Sequence, residues 1–185
     1  MARTGPPKTR VSGAATDTDD PVSVARAIVL TQLTAGPRTR AQLAKTLTKR
    51  GVPADAAGQV LDRMTEVGLI DDQAFADQWV SSRASGRGLA RRALRHELTH
   101  RGVDSAIVDE ALEAIDDESE YASATDLVAR KLRTMGRLEP EARVRRMVTM
   151  LARKGYSSGL AYRVVREQVA DLQRGTGPDG LAPDN

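Results

Sequence analysis

Metal chemistry is the first possibility that the residues raise. His96-Glu97-Leu98-Thr99-His100 spells H-E-x-x-H. On a helix this spacing puts two imidazoles on one face to hold zinc, with the glutamate as general base. Glu118 and Glu120 stand near the chain distance at which some such enzymes keep a third ligand. Three features oppose that reading. In two similar segments the positions of His96 and His100 are taken by Lys45 and Lys49, and by Thr149 and Arg153, an ordinary polar face. The flanking arginines repel a dication. The chain has only these two histidines, and the acids around Glu118 read as a solvated linker between units. No phosphate-cradling glycine-rich loop ending in Gly-Lys-Ser/Thr occurs, and no Ser–His–acid arrangement suggests itself. The expectation is no catalytic residue, no metal and no cofactor, hence no enzyme.

Anion binding is the stronger candidate. From Arg83 to Arg101 there are six arginines and one acid, Glu97. Arg83, Arg87, Arg91, Arg92 and Arg95 make a guanidinium surface beside the apolar stripe Ala90, Leu94 and Leu98. A second basic helix, from about Pro140 to Lys154, sets Arg145, Arg146 and Arg153 opposite an apolar face of Val144, Met147, Val148 and Leu151, with Lys154 at its end. Such surfaces call for an anionic partner, and phosphate is the commonest. These nine cations are the candidate partner-binding residues, whether the partner is DNA phosphate or an acidic protein surface. Aromatics for base stacking are nearly absent from both helices, which argues against sequence reading of single strands.

The elements that carry these residues follow from a repeat. Three segments align on a basic residue followed by glycine: LAKTLTKRGV at Gly51, LRHELTHRGV at Gly102 and MVTMLARKGY at Gly155. Four residues before each glycine stands Leu47, Leu98 or Leu151; eight before stands Leu43, Leu94 or Met147. That is a helix with an i, i+4 stripe, stopped by glycine in a left-handed conformation. A further helix follows, opened by Pro53, Asp104 or Ser157, and another precedes each, at roughly 21–34, 72–84 and 119–135. The fold class is all-α: three tandem three-helix repeats stacked into an elongated, curved molecule. The boundaries are a disordered extension over 1–20, repeats over 21–70, 71–117 and 118–173, and a disordered tail over 174–185. Units of about 50 residues have marginal cores, so stacking should supply much of their stability.

Composition agrees with helices. One Trp, three Tyr and one Phe leave the core to Leu, Val, Ile and Ala. Net charge is only +3 but is segregated: Asp104 to Asp126 holds nine acids and no Lys or Arg, and Arg130 to Lys154 holds nine basic residues and two acids. There is no cysteine, no long apolar run and no apolar leader in MARTGPPKTR, so a cytoplasmic protein away from the membrane is expected. The first unit alone resembles a helix-turn-helix or winged-helix reader, but Asp71-Asp72 cap another helix where a wing would need strands.

With LIDDQAFADQWVSSR, ARRALRHELTHRGV and MVTMLARKGYS in order, the chain resembles the RecX family, regulators of the RecA recombinase, over about Val24 to Leu172. The resemblance implies tandem three-helix repeats lodged in the groove of the RecA–DNA filament. There they would inhibit RecA ATPase, recombinase and coprotease activities in DNA repair and the SOS response. Trp79, Arg83, Arg91, Arg92, Leu94, Glu97, Leu98 and Gly102 fall on the family's central pattern. Trp79, Leu94 and Leu98 are assigned to packing and the arginines to partner contact. The implied partners are the RecA filament and single-stranded DNA, within the filament or weakly alone, and the implied state is a monomer. The alternative is a non-specific DNA-binding architectural or helix-turn-helix protein that acts without RecA.

Overall fold

A computed structural model describes residues 20–135 and 139–175. Among them the chain forms nine α-helices and no strand: α1 (Pro21–Thr34), α2 (Arg40–Lys49), α3 (Ala54–Glu66), α4 (Asp72–Arg87), α5 (Arg91–His100), α6 (Ser105–Leu112), α7 (Asp117–Leu132), α8 (Pro140–Arg153) and α9 (Ser158–Gly175). The extension and tail expected to be disordered fall outside the described residues, except that Asp20 caps α1 and Arg174–Gly175 close α9.

Each group of three helices is punctuated alike. The first helix opens on an aspartate whose side chain accepts a first-turn amide: Asp20 from Val22, Asp71 from Ala74 and Asp116 from Ser119. The Ser119 amide, and then its hydroxyl, hold the Asp116 carboxyl below its ordinary pKa. The second helix buries Leu43 and Leu47, Leu94 and Leu98, or Met147 and Leu151. It ends at Gly51, Gly102 or Gly155, with φ of 75°, 76° and 94°. The next amide then turns back to a helix carbonyl: Val52 to Leu47 at 3.1 Å, Val103 to Leu98 at 3.2 Å and Tyr156 to Leu151 at 3.2 Å. This back-bond after a left-handed glycine satisfies a carbonyl the helix leaves open. Asp71 caps α4, so no wing follows the first repeat.

Stacking does not merge the interiors. Each repeat has its own cluster, built around Val29, Leu43 and Leu61 in the first, Phe75, Leu94 and Val108 in the second, and Val128, Leu151 and Val164 in the third. Three helices whose apolar stripes face one another close each small core, and the third also takes in Ala90 from the second repeat. The joints are largely polar and repeat one design. Arg101 O, at the end of α5, accepts from Thr39 Oγ1, the cap of α2, at 2.7 Å. Lys154 O, at the end of α8, accepts from the amide of Ala90, the cap of α5, at 2.9 Å. Carboxylates at the start of the following repeat take first-turn amides of the preceding second helix: Asp72 from Arg40 at 2.8 Å and Glu120 from Arg91 at 2.7 Å. The second helices α8, α5 and α2 therefore meet end to end, each C-terminus on the N-terminus of the repeat before it. Groups that helix ends would leave unsatisfied thus satisfy one another.

Candidate anion-binding surface

The end-to-end helices present a polar stripe at equivalent positions: Arg145, Thr149 and Arg153 on α8, Arg92, His96 and His100 on α5, and Ala41, Lys45 and Lys49 on α2. All nine are exposed. On α8, Arg145, Arg146, Thr149, Met150, Arg153 and Lys154 line a shallow cavity of about 460 Å³. Where α5 meets α2, a second cavity of about 520 Å³ gathers Arg38, Lys45, Lys49, His100 and Arg101. Neither has a carboxylate in its lining.

The arginines singled out from the sequence divide into two groups. Arg87, Arg92, Arg145, Arg146 and Arg153 are exposed. The others have partners within the chain. Arg83 lies over the Trp79 ring at 4.1 Å, with its Nε 3.9 Å from Glu97. Arg91 bridges the second and third repeats, bonding Asp117 and, at 3.4 Å, Glu120. These partners raise the Arg91 pKa, chiefly through the hydrogen bond to Asp117. Arg95 pairs with Asp109 of α6. Lys154 Nζ donates to Arg87 O across the same joint. Part of the acidic block thus serves as internal counter-charge.

One expectation needs correction and one gains detail. Glu118 and Glu120 are not in a linker: α7 begins at Asp117, and Glu120 is half-buried against Arg91. Its carboxylate is drawn in because the Arg91 amide has no acceptor within its own helix. Trp79 is packed against the second core, but its role extends further. Its Nε1 donates to Glu97 Oε2 at 2.8 Å, it stacks on Phe75 with centroids 5.8 Å apart, and Arg101 lies 3.7 Å over its ring. Glu97 is therefore turned toward Trp79 and Arg83. The His96 and His100 rings stack at 6.4 Å in the exposed stripe. Among the described residues no group of three or more His, Cys, Asp and Glu could hold a metal ion.

Sequence reading missed Arg38, Lys45, Lys49 and Arg101. The signal was present: the repeat register puts Lys45 and Lys49 on the positions of His96 and His100, and these recur as one exposed stripe.

Models of the first, second and third three-helix domains of RecX match residues 25–64, 71–112 and 117–165. The chain belongs to the RecX family. Among the curated RecX relatives, "Regulatory protein RecX" of Streptomyces coelicolor is 56% identical over 152 residues, covering 82% of this chain and 81% of the relative. The protein of that name from Thermobifida fusca is 49% identical over 167 residues, covering 90% and 88%. The fold is that of a RecX crystal structure from Lactobacillus salivarius, with a TM-score of 0.72 at 19% identity, covering 83% of this chain and 98% of that one. The RecX relatives carry the name of regulators, not enzymes. Among the described residues of this RecX chain, no helix is long and apolar enough to cross a membrane.

Proposed function

We propose that this RecX-family protein binds the RecA–DNA filament and restrains RecA's ATP hydrolysis, strand exchange and coprotease action, acting as a cytoplasmic monomer. The observation that carries this reading is the exposed cationic row on α5 and α8, two helices joined end to end. Arg92, Arg145, Arg146 and Arg153 stand on a rigid two-repeat frame, with Arg87 at the same joint. Modest ion pairs spread over two repeats gain from multivalency, so several weak contacts sum to tight binding. A body anchored to neighbouring filament subunits hinders the movement between them that ATP turnover requires.

Charge reversal tests this, provided that it spares the joints. Arg91 holds the repeats together, so the reversals belong at exposed positions: Arg92→Glu, Arg145→Glu and Arg153→Glu combined. Wild type should inhibit RecA ATPase on single-stranded DNA, and inhibition should weaken steeply with salt, because exposed pairs are screened within about 10 Å at 0.1 M. The triple variant should keep its helicity and lose most of the inhibition. A folded triple variant with unchanged potency and salt dependence would overturn the assignment. The alternative, a DNA-binding protein independent of RecA, predicts that coating single-stranded DNA with RecA leaves affinity unchanged.

A further inference from the structure

We infer that the joint between the first and second repeats holds a binding site for phosphate oxyanions. The ligand would be two adjacent backbone phosphates of a single-stranded nucleic acid, or the polyphosphate chain of a free nucleotide. The site lies outside the cations on which the action on RecA was argued, and it needs no filament.

Three observations carry it. The first is unbalanced charge. The cavity of about 520 Å³ draws Arg38 from the loop before α2, Lys45 and Lys49 from α2, and Arg101 from the end of α5, with no acid in its lining. Elsewhere near the joints several guanidiniums have carboxylate partners: Arg40 with Asp62, Arg91 with Asp117 and Glu120, and Arg95 with Asp109. Among the described residues, none of Arg38, Lys45, Lys49 and Arg101 has a carboxylate partner. Like charges at i, i+4 repel, so converging Lys45 and Lys49 on two arginines is unfavourable until an anion enters.

The second is a donor left unmet. The Arg101 guanidinium carbon lies 3.7 Å over the Trp79 ring centroid, and its Nε is buried without a hydrogen bond. A guanidinium held against an aromatic face is oriented in advance and suits planar recognition of phosphate oxygens.

The third is close contact across the joint. Thr39 has no exposed surface, and its hydroxyl ties α2 to Arg101 O. Gly102 is pressed on Ala41 so closely that a Cβ there would stand 2.4 Å from the Ala41 Cβ. The backbones that carry the lysines of one repeat and the arginine of the next are therefore in contact before any ligand arrives, which lowers the cost of bringing them together. The volume is within the range of roughly 300–1,000 Å³ usual for small-ligand sites. Gln42, from the same helix, adds a neutral hydrogen-bonding group to the wall.

The test uses the full-length protein without RecA. Fluorescence anisotropy would follow binding of a labelled oligothymidylate, and calorimetry the binding of inorganic tripolyphosphate. Lys45→Gln with Lys49→Gln removes two exposed charges. It should weaken binding by about tenfold or more, a loss of about 1.4 kcal/mol or greater. With the oligonucleotide, the slope of log affinity against log salt should shrink by roughly 1.4, two phosphates' worth for a single strand. Arg38→Gln, outside any helix, gives a second reading should the double variant melt early. Lys131→Gln with Arg133→Gln, exposed near the end of α7, should change neither ligand's affinity. Loss of oligothymidylate binding without competition by tripolyphosphate identifies a backbone site; tripolyphosphate binding lost in the variant identifies a free polyphosphate site. Absence of both ligands from wild type, or unchanged affinity for both in the folded Gln variants, overturns the inference. Neither result depends on RecA inhibition, so the two readings can fail separately.

Discussion

Arg91 and Arg92 are adjacent in the chain and chemically identical, yet they do different work. Arg91 is reached by Asp117 and Glu120, and its amide is also taken by Glu120; Arg92 faces solvent. Glu120→Ala should therefore cost about 1–3 kcal/mol in denaturant unfolding, because a half-buried amide loses its acceptor. Glu118→Ala, at an exposed neighbouring position, should cost within about 0.5 kcal/mol of nothing. Equal losses would mean that the joint does not rest on Glu120. Sequence alone showed the arginines but not this division, since the deciding carboxylates lie 26 and 29 residues away. A pH effect belongs to the same joint. Tyr156, 1% exposed, bonds Gly88 O at 3.2 Å and Ser123 Oγ at 3.0 Å, and burial above all pushes its pKa up. A phenol whose folded pKa is raised contributes stability that is full below about pH 10, its unfolded value, and is lost as pH rises through the folded one. Tyr156→Phe should be less stable at neutral pH and should lose less on going to alkaline pH. Parallel stability–pH curves for the two proteins would refute this.

The three second helices were legible as elements because an i, i+4 stripe and a terminal glycine recur in all of them. What lay beyond reach was the environment of each glycine. Gly51 has φ +75° and no atom within 4 Å of an added Cβ. Gly102 has φ +76° and Gly155 φ +94°, but their added Cβ atoms would stand 2.4 Å from Ala41 Cβ and 2.6 Å from the Ala93 amide nitrogen. The local motif is shared; only the second and third repeats have a preceding repeat to press against. Gly51→Ala should then cost only the left-handed backbone, roughly 1–2 kcal/mol. Gly155→Ala meets backbone that cannot swing aside, and overpacking adds about 1–3 kcal/mol more. Gly102→Ala should cost about as much as Gly155→Ala, because the Ala41 Cβ that opposes it is fixed to its own backbone. Urea unfolding of the three variants checks the order, and three equal losses would show that the joints yield freely.

At the scale of the whole molecule, two joints of one design carry unequal contact. Between the second and third repeats, Ala90 enters the third core, Tyr156 reaches back to Gly88, and Leu127 lies within 2.6 Å of a Cβ built on Gly88. Arg91 and Lys154 add charged bonds there. Between the first and second, the ties are Thr39 to Arg101, Arg40 to Asp72, and Gly102 on Ala41. The first and second cores share no residue across that joint, and the cavity argued to bind phosphate opens within it. A row of repeats is stable as its units plus its interfaces, so a weak interface lets one end open alone. Native-state hydrogen exchange should therefore show amides of α1–α3 opening at lower free energy than those of α4–α9, which should exchange together. Thr39→Val removes both the cap bond and the bond to Arg101 O, and it should widen the gap; Thr39→Ser, which keeps the hydroxyl, should not. An oligonucleotide or tripolyphosphate bound across Lys45, Lys49 and Arg101 ties α2 to the end of α5, so it should narrow the gap by mass action. Identical exchange isotherms for all the helices of wild type would mean that the first joint is as strong as the second, and that the molecule opens as a single body.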